Sequence, residues 1–297
     1  MSKSSKSDKS SKSDKSSKSD KYSRRSLKKK YPNVIFYKLS DKYKSLIKQQ
    51  LISSIPESSS SGNLYTYMDI IKLLQKHNSR VYLIGGIVRD MVLHKNLSKL
   101  MDIDIKYTLL PNIVEKVLKT LPTIKYERGK IYDQVFYIGN KKNELCLDLN
   151  YLNFENNKEL TSNADCNSLL LDIKTFTIID LFGEGVRDSK KKIWKKPISL
   201  SHNEWVNIKT KLFWRMLKFS IKGYNIPDKD KISIYKYVYN HPYKQNIRWF
   251  DIWRVLNKED LPVISKIIKT DLGKLDINIS YHDMVKLFKK NKVSLDT

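Results

Sequence analysis

Cysteine is the scarcest informative residue in this chain. Cys146 and Cys166 are the only two in 297 residues. Two thiols exclude a disulfide framework and a zinc site built from four cysteines. Both lie in apolar or mixed sequence, so buried thiols in a reducing compartment are expected. The five histidines, His77, His94, His202, His241 and His282, show no H-x-x-x-H or acid-paired spacing and are assigned no metal. No apolar run approaches the ~20 residues that cross a bilayer. The N-terminus lacks the apolar core of a signal peptide. The expectation is an intracellular protein, cytoplasmic or nuclear, neither secreted nor membrane-bound. Acidic residues are also short: 31 Asp and Glu against 57 Lys and Arg leave a net charge of +26. Residues 1–30 carry +9 of this and the remainder +17, so the body is basic in its own right. A polyanion is the partner such a balance favours, and RNA or DNA is the default.

The basic tail is a repeat. Lys6-Ser7-Asp8-Lys9-Ser10-Ser11 recurs from Lys12 and again from Lys18. With no apolar residue to bury it reads as disordered, and residues 1–30 are taken as a low-complexity tail. Its role is an electrostatic arm, a localisation signal or simply a solvated segment. Residues 31–63 follow as an extension with a strand, a short helix and a serine-rich linker at Ser58–Gly62. From residue 64 the pattern is globular. Helical periodicity over Met68–His77 precedes a strand from Val81. Another helix is expected over Asn112–Leu121. Ile131–Ile138 and Leu145–Leu152 read as a hairpin joined at Gly139-Asn140. The expected fold is α+β, a mixed sheet with flanking helices over residues 64–198, followed by a helical domain over 199–297.

Two segments carry the chemistry. Val81–Ile84 is an apolar strand that runs into Gly85 and Gly86, a turn where backbone approaches something closely. A helix is expected from Ile87 to His94, beginning with Arg89 and Asp90 on its first turns. Free N–H groups at such a turn suit phosphates. Then Asp102 and Asp104 alternate with Ile103 and Ile105. Residues i and i+2 of a strand share a face, so the two carboxylates stand side by side. They raise each other's pKa unless a cation lies between them. Paired oxygen ligands suit Mg²⁺, which completes its shell with waters and substrate phosphates.

Gly85-Gly86-x-x-Arg89-Asp90 followed about a dozen residues later by Asp102-x-Asp104 resembles the head domain of class II tRNA nucleotidyltransferases and bacterial-type poly(A) polymerases. The resemblance spans roughly residues 65–230. It implies a nucleotidyltransferase head, a helical neck that touches the incoming base, two Mg²⁺ or Mn²⁺ ions, and an NTP substrate, with ATP expected here. Asp102 and Asp104 would bind the metals. Asp148 aligns with a third acidic ligand, although a solvent-facing strand aspartate would explain it equally well. Gly85, Gly86, Arg89 and Asp90 would bind nucleotide, Arg89 as a bidentate phosphate clamp.

Other matches are partial. Ile178–Gly183 resembles the I-D-P-F-G-G segment that closes the head. Where the family carries R-R-D-F-T-x-N-A, only Asn167 survives, and the arginine pair is absent. Arg215-Met216-Leu217-Lys218 followed by Gly223-Tyr224 resembles the neck's R-M-x-R…G-F segment, which implies nucleotide contacts from Arg215 and Lys218. The acidic pair that should precede it, which helps read the base edge, is Lys211-Leu212. Lys190, Lys191, Lys192, Lys195 and Lys196, around Trp194, are the expected RNA contacts outside the pocket. The five tryptophans, Trp194, Trp205, Trp214, Trp249 and Trp253, sit among lysines but are more often core than base-stacking platforms at helical spacing. The resulting expectation is addition of AMP to the 3′ end of a tRNA or other RNA. The alternatives are an RNA-binding protein of the same fold without catalysis, and an enzyme acting on a different hydroxyl.

Overall fold

The computed structural model describes residues 23–52, 65–93, 102–121, 124, 126–128, 135–138, 146–154, 166, 168–195, 202–240 and 260–290. The expectations for the repeat tail, the Ser58–Gly62 linker, the Gly139-Asn140 turn, Asn167, Lys196, Trp249 and Trp253 lie outside them.

Eight strands form one sheet: β1 (Ile35–Lys38), β2 (Val81–Ile84), β3 (Asp102–Tyr107), β4 (Tyr126–Arg128), β5 (Val135–Ile138), β6 (Cys146–Tyr151), β7 (Leu169–Asp172) and β8 (Thr177–Asp180). Their order is β1-β8-β7-β2-β3-β6-β5-β4. All pairings are antiparallel except β3 with β6, which run in the same direction. The mixed sheet with flanking helices is the expected fold. The β5–β6 hairpin forms as expected, with β5 described from Val135 onward.

Strand alternation divides the sheet into two faces. One bears Val81, Leu83, Ile103, Ile105, Leu147 and Leu149, all buried in the main core. Helices α2 (Asp41–Ile52), α3 (Tyr67–Lys76), α4 (Gly86–Val92) and α5 (Pro111–Leu118) contribute Ile47, Leu51, Ile70, Ile71, Leu74, Val88, Met91 and Val114 to it. Helix α3 starts where Thr66 and Asp69 form a reciprocal capping box. The opposite face bears Tyr82, Leu170 and Ile179, with Leu152 and Phe154 in the same smaller cluster. It is covered in part by α1 (Arg24–Lys30), through Leu27.

Two readings of the N-terminal region change. Residues 24–30 are helical, not the end of an unstructured tail. Ser23 caps the helix by accepting from the Ser26 N–H, and Leu27 is buried against the sheet. A single apolar residue in a basic run gives little periodicity to read, yet it fixes the helix. The strand and helix expected ahead of the domain are present, but β1 is the sheet's own edge, paired with β8.

The C-terminal part is helical, as expected: α7 (His202–Ile221), α8 (Asp228–Asn240), α9 (Leu261–Lys274) and α10 (Tyr281–Lys290). It has its own core of Leu212, Phe213, Trp214, Tyr235, Ile264, Ile268 and Phe288. Trp194 and Trp214 are buried in this core, so neither is a stacking platform. A short helix α6 (Gly185–Lys190) joins the two parts. The connection is clamped by backbone bonds from Asn225 N–H to the Lys192 carbonyl (2.7 Å) and from Trp194 N–H to the Asn225 carbonyl (2.9 Å).

Candidate active site

The parallel pairing of β3 and β6 places Asp104 directly beside Asp148. Both alternate with residues of the main core, so both belong to the opposite face of the sheet. Adjacent strands lie about 4.8 Å apart, which brings registered side chains within reach of one cation. Position 102 shares that face of β3. Tyr137 of β5 is registered with Asp148 on its far side and extends the row. Lys106, two residues beyond Asp104 on the same strand, is only 4% exposed. It lies between Tyr82 of β2 and Asn150 of β6.

The glycine turn lies against this row. A Cβ placed on Gly85 would sit 3.0 Å from Asp104 Oδ2, and the residue has φ +74°. The left-handed backbone favours glycine here, and an added Cβ would in addition crowd the Asp104 carboxylate, which would have to give way by a few tenths of an ångström. A Cβ on Gly86 would lie 3.5 Å from the Arg89 guanidinium, in ordinary contact. The sequence signal of two glycines before a helix and the aspartate strand after it thus converge on one place. Helix α4 begins one residue earlier than expected and ends at Val92.

Arg89 does not take the position of an open phosphate fork. It is 6% exposed, and its Cζ lies 5.1 Å from the Phe219 ring centroid, over the ring. Asp90 Oδ1 is 3.8 Å from Arg89 Nε. Phe219 in turn meets Tyr224 edge-on at 4.8 Å and Trp194 at 6.3 Å. Burial pushes the Tyr224 phenol up to about 12, with Arg89 pulling the other way. Arg89 therefore fastens the glycine-turn helix to α7. Neither Phe219 nor Lys106 is marked as functional by the sequence motifs.

Arg215 is half-buried on the same face of α7. Burial lowers its pKa while the nearby Asp104 carboxylate opposes the shift. Leu212, at the position of the missing acidic base reader, is fully buried in the helical core and faces away from solvent. Lys218 is exposed.

The remaining expected residues divide. Lys190, Lys191 and Lys192 are exposed around the α6 exit. Lys195 is held by Glu184 at 2.7 Å and by the buried Asp188 at 3.1 Å, so it serves an ion-pair network. Asp180 ends β8 as a buried acceptor for the N–H groups of Gly183 (3.0 Å) and Val186 (2.9 Å). That fits the structural role expected for the Ile178–Gly183 segment. Burial raises the Asp180 pKa, and those backbone donors oppose the rise.

Asp104 and Asp148 suit a hard cation such as Mg²⁺, which commonly takes one or two carboxylates and fills its shell with waters and phosphates. Among the described residues, no group of three or more His, Cys, Asp and Glu is placed to hold a metal ion. A site here relies on position 102 or on substrate oxygens to complete it. No helix among the described residues is long and apolar enough to cross a membrane.

Residues 81–195 match the Poly A polymerase head domain. Among solved structures, a Thermotoga maritima CCA-adding enzyme complexed with tRNA is similar, at 17% identity and a TM-score of 0.47, over 75% of this chain and 49% of that one. A CCA-adding enzyme in complex with ATP gives 18% identity and 0.47, over 75% and 50%. An apo CCA-adding enzyme gives 16% and 0.48, over 87% and 57%. The chain spans about half the length of these proteins. No curated protein sequence matches it.

Proposed function

We propose, from the match of residues 81–195 to the Poly A polymerase head domain, that this chain is a metal-dependent nucleotidyltransferase acting on RNA 3′ ends. The observation that carries the reading is the side-by-side placement of Asp104 and Asp148 with the Gly85 turn against them, so close that a Cβ added to Gly85 would lie 3.0 Å from Asp104 Oδ2. Two neighbouring carboxylates repel each other, and the arrangement is costly unless a cation offsets it.

In this reading the RNA 3′ hydroxyl attacks the α-phosphate of an NTP in line, and pyrophosphate leaves. Asp104 and Asp148 would hold Mg²⁺ or Mn²⁺, with Asp102 as a further ligand. A divalent ion there supplies charge neutralisation for the triphosphate and lowers the pKa of the attacking hydroxyl. Gly85 and Gly86 lack side chains, so phosphate oxygens can approach the backbone closely. Asp90 Oδ1 lies 3.8 Å from Arg89 Nε, and Arg89 secures the turn against Phe219. The exposed Lys190, Lys191 and Lys192, with the basic N-terminal repeat, supply an electrostatic path for RNA.

AMP is the nucleotide we expect to be added. An ordered C-C-A addition needs fixed donors and acceptors at the base edge, since discrimination comes from leaving the wrong base unpaired. Leu212 is buried in the core and supplies none. The test is incubation of the full chain with labelled NTPs, Mn²⁺ or Mg²⁺ and RNA primers. Label should appear at RNA 3′ ends and vanish with chelator. No incorporation into any RNA would remove the proposal.

A further inference from the structure

Helix α1 lies on the same face of the sheet as the acidic row. Its Leu27 shares a buried cluster with Tyr82, Leu170 and Ile179. On that face Phe36, Ile179, Leu170 and Ile84 are registered in turn across β1, β8, β7 and β2. The Leu83–Ile105 pairing carries the row on to Asp104 of β3, and Asp104 is registered with Asp148 of β6. One cross-strand row is thus apolar at the end that α1 covers and acidic at the other. Leu170 and Ile179 stand two and three strands from Asp104, about 10–14 Å along the sheet.

The fold holds this helix at both ends. Ser23 caps it by accepting from the Ser26 N–H. Arg24 Nη2 donates to Thr177 Oγ1 at 3.4 Å, and its Cζ lies 5.1 Å from the Phe36 ring centroid. Lys30 Nζ donates to the Phe154 carbonyl, and Tyr31 meets Phe182 edge-on at 6.4 Å. These contacts use Arg24 and Lys30 and leave three cations. Arg25, Lys28 and Lys29 are exposed, and among the described residues none of them has an ion-pair partner. Left to itself the arrangement is unfavourable. Seven residues are too few for a helix that is stable alone. Arg25 repels Lys28 and Lys29, three and four positions further on. Lys28 and Lys29, in the last turn, suit the helix dipole, but Arg25 sits in the first turn, where the dipole favours an anion. An external polyanion offsets both costs.

From this placement we propose that α1 is an RNA-binding element, with Arg25, Lys28 and Lys29 on the phosphates of the strand whose 3′ end lies at the acidic row. The proposal rests on the nucleotidyltransferase reading above and adds to it the direction in which the acceptor runs. The 3′ end meets β3 and β6, and the strand crosses β2 and β7 towards α1. A gap of about 10–14 Å is a few nucleotides of backbone, at ~3.4 Å for each stacked nucleotide. The contacts are to phosphate, so they position the acceptor without reading its sequence.

The experiment measures the affinity of the full chain for a single-stranded RNA over a series of salt concentrations. Wild type is compared with a variant carrying Arg25→Gln, Lys28→Gln and Lys29→Gln. A control carries Lys72→Gln, Lys76→Gln and Lys116→Gln, exposed lysines of α3 and α5 on the other side of the sheet. Both variants lose three charges. The α1 variant should bind RNA roughly tenfold or more weakly near physiological salt. Its slope of log affinity against log salt should be shallower by about two, as for three phosphate contacts to a single strand. The control should lose far less by both measures. The melting temperature of the α1 variant should not fall, since the three side chains hold nothing in place. Equal losses in the two variants would reduce the effect to net charge and overturn the proposal. Unchanged RNA affinity in the α1 variant would overturn it too, and weakened binding of that variant to phosphatidylserine vesicles would then assign α1 to a lipid surface. Those outcomes leave the enzyme reading standing. A wild-type chain that binds RNA through α1 but adds no nucleotide to it would uphold the RNA contact and overturn the enzyme reading alone.

Discussion

At the scale of single residues, Gly85 is the most constrained position in the site. Its φ of +74° disfavours any side chain, and a Cβ would meet Asp104 Oδ2 at 3.0 Å. Gly85→Ala should therefore destabilise the chain by about 1–2 kcal/mol from backbone strain alone. It should also push Asp104 out of line with Asp148. Thermal melting measures the first effect and Mn²⁺ affinity the second; a variant unchanged in both would show that the turn does not press on the acidic strand. The residues that carry this geometry are legible: two glycines, Arg89-Asp90 and the alternating aspartates mark the site in sequence. Their division of labour is not. Arg89 reads as a phosphate clamp because sequence shows its charge and not the ring of Phe219 that lies under it, more than a hundred positions away. Lys106 is equally hidden. A lysine in a strand ordinarily points to solvent, and here the strand lies mid-sheet, between Tyr82 and Asn150.

At the scale of elements, local signals set the boundaries. Thr66 and Asp69 cap α3 reciprocally: Asp69 N–H donates to Thr66 Oγ1 at 3.2 Å, and Thr66 N–H donates to Asp69 Oδ2 at 2.8 Å. The backbone and hydroxyl donors of Thr66 lower the Asp69 pKa. Because the folded pKa is the lower one, Asp69's contribution is present above the ordinary aspartate value near 3.9 and is lost as pH falls through the folded value. Thr66→Ala should cost about 1 kcal/mol at neutral pH. The difference from wild type should shrink below about pH 4. Denaturant unfolding at pH 7 and pH 3 tests this, and a constant difference would deny the carboxylate its share in the cap. Helices with strong periodicity, α3 and α5, fall within a few residues of their expected spans. Helix α1 escapes a sequence reading, because one buried leucine among five basic residues leaves no period to detect.

At the scale of the whole molecule, the sheet order is what sequence does not carry. β3 and β6 are neighbours although β4 and β5 intervene in the chain, and only that parallel pairing sets Asp148 beside Asp104. Sequence alone leaves Asp148 equally consistent with an exposed strand position. The helical part has a core of its own, and its junction with the sheet runs through the Asn225 clamp and the Arg89–Phe219 stack. In a reaction holding all four NTPs, short homopolymeric additions with ATP favoured are expected. Sequencing of the extended RNA reads this directly. Faithful C-C-A on a tRNA lacking its 3′ end would mean that another residue has taken over base reading from the buried Leu212 position.

Whether the acidic row on β3 and β6 is a catalytic centre is tested most directly by one measurement. Nucleotide incorporation is compared for wild type, Asp104→Asn and Asp148→Asn, each shown folded by its melting curve. Asparagine keeps the shape of each side chain and removes the charge. Wild type should incorporate nucleotide at RNA 3′ ends. Asp104→Asn should lose at least about a hundredfold, since metal-bound charge stabilisation supplies several kcal/mol to such transition states. Asp148→Asn should fall in the same direction. Wild-type rates in a folded Asp104→Asn variant would contradict the catalytic assignment.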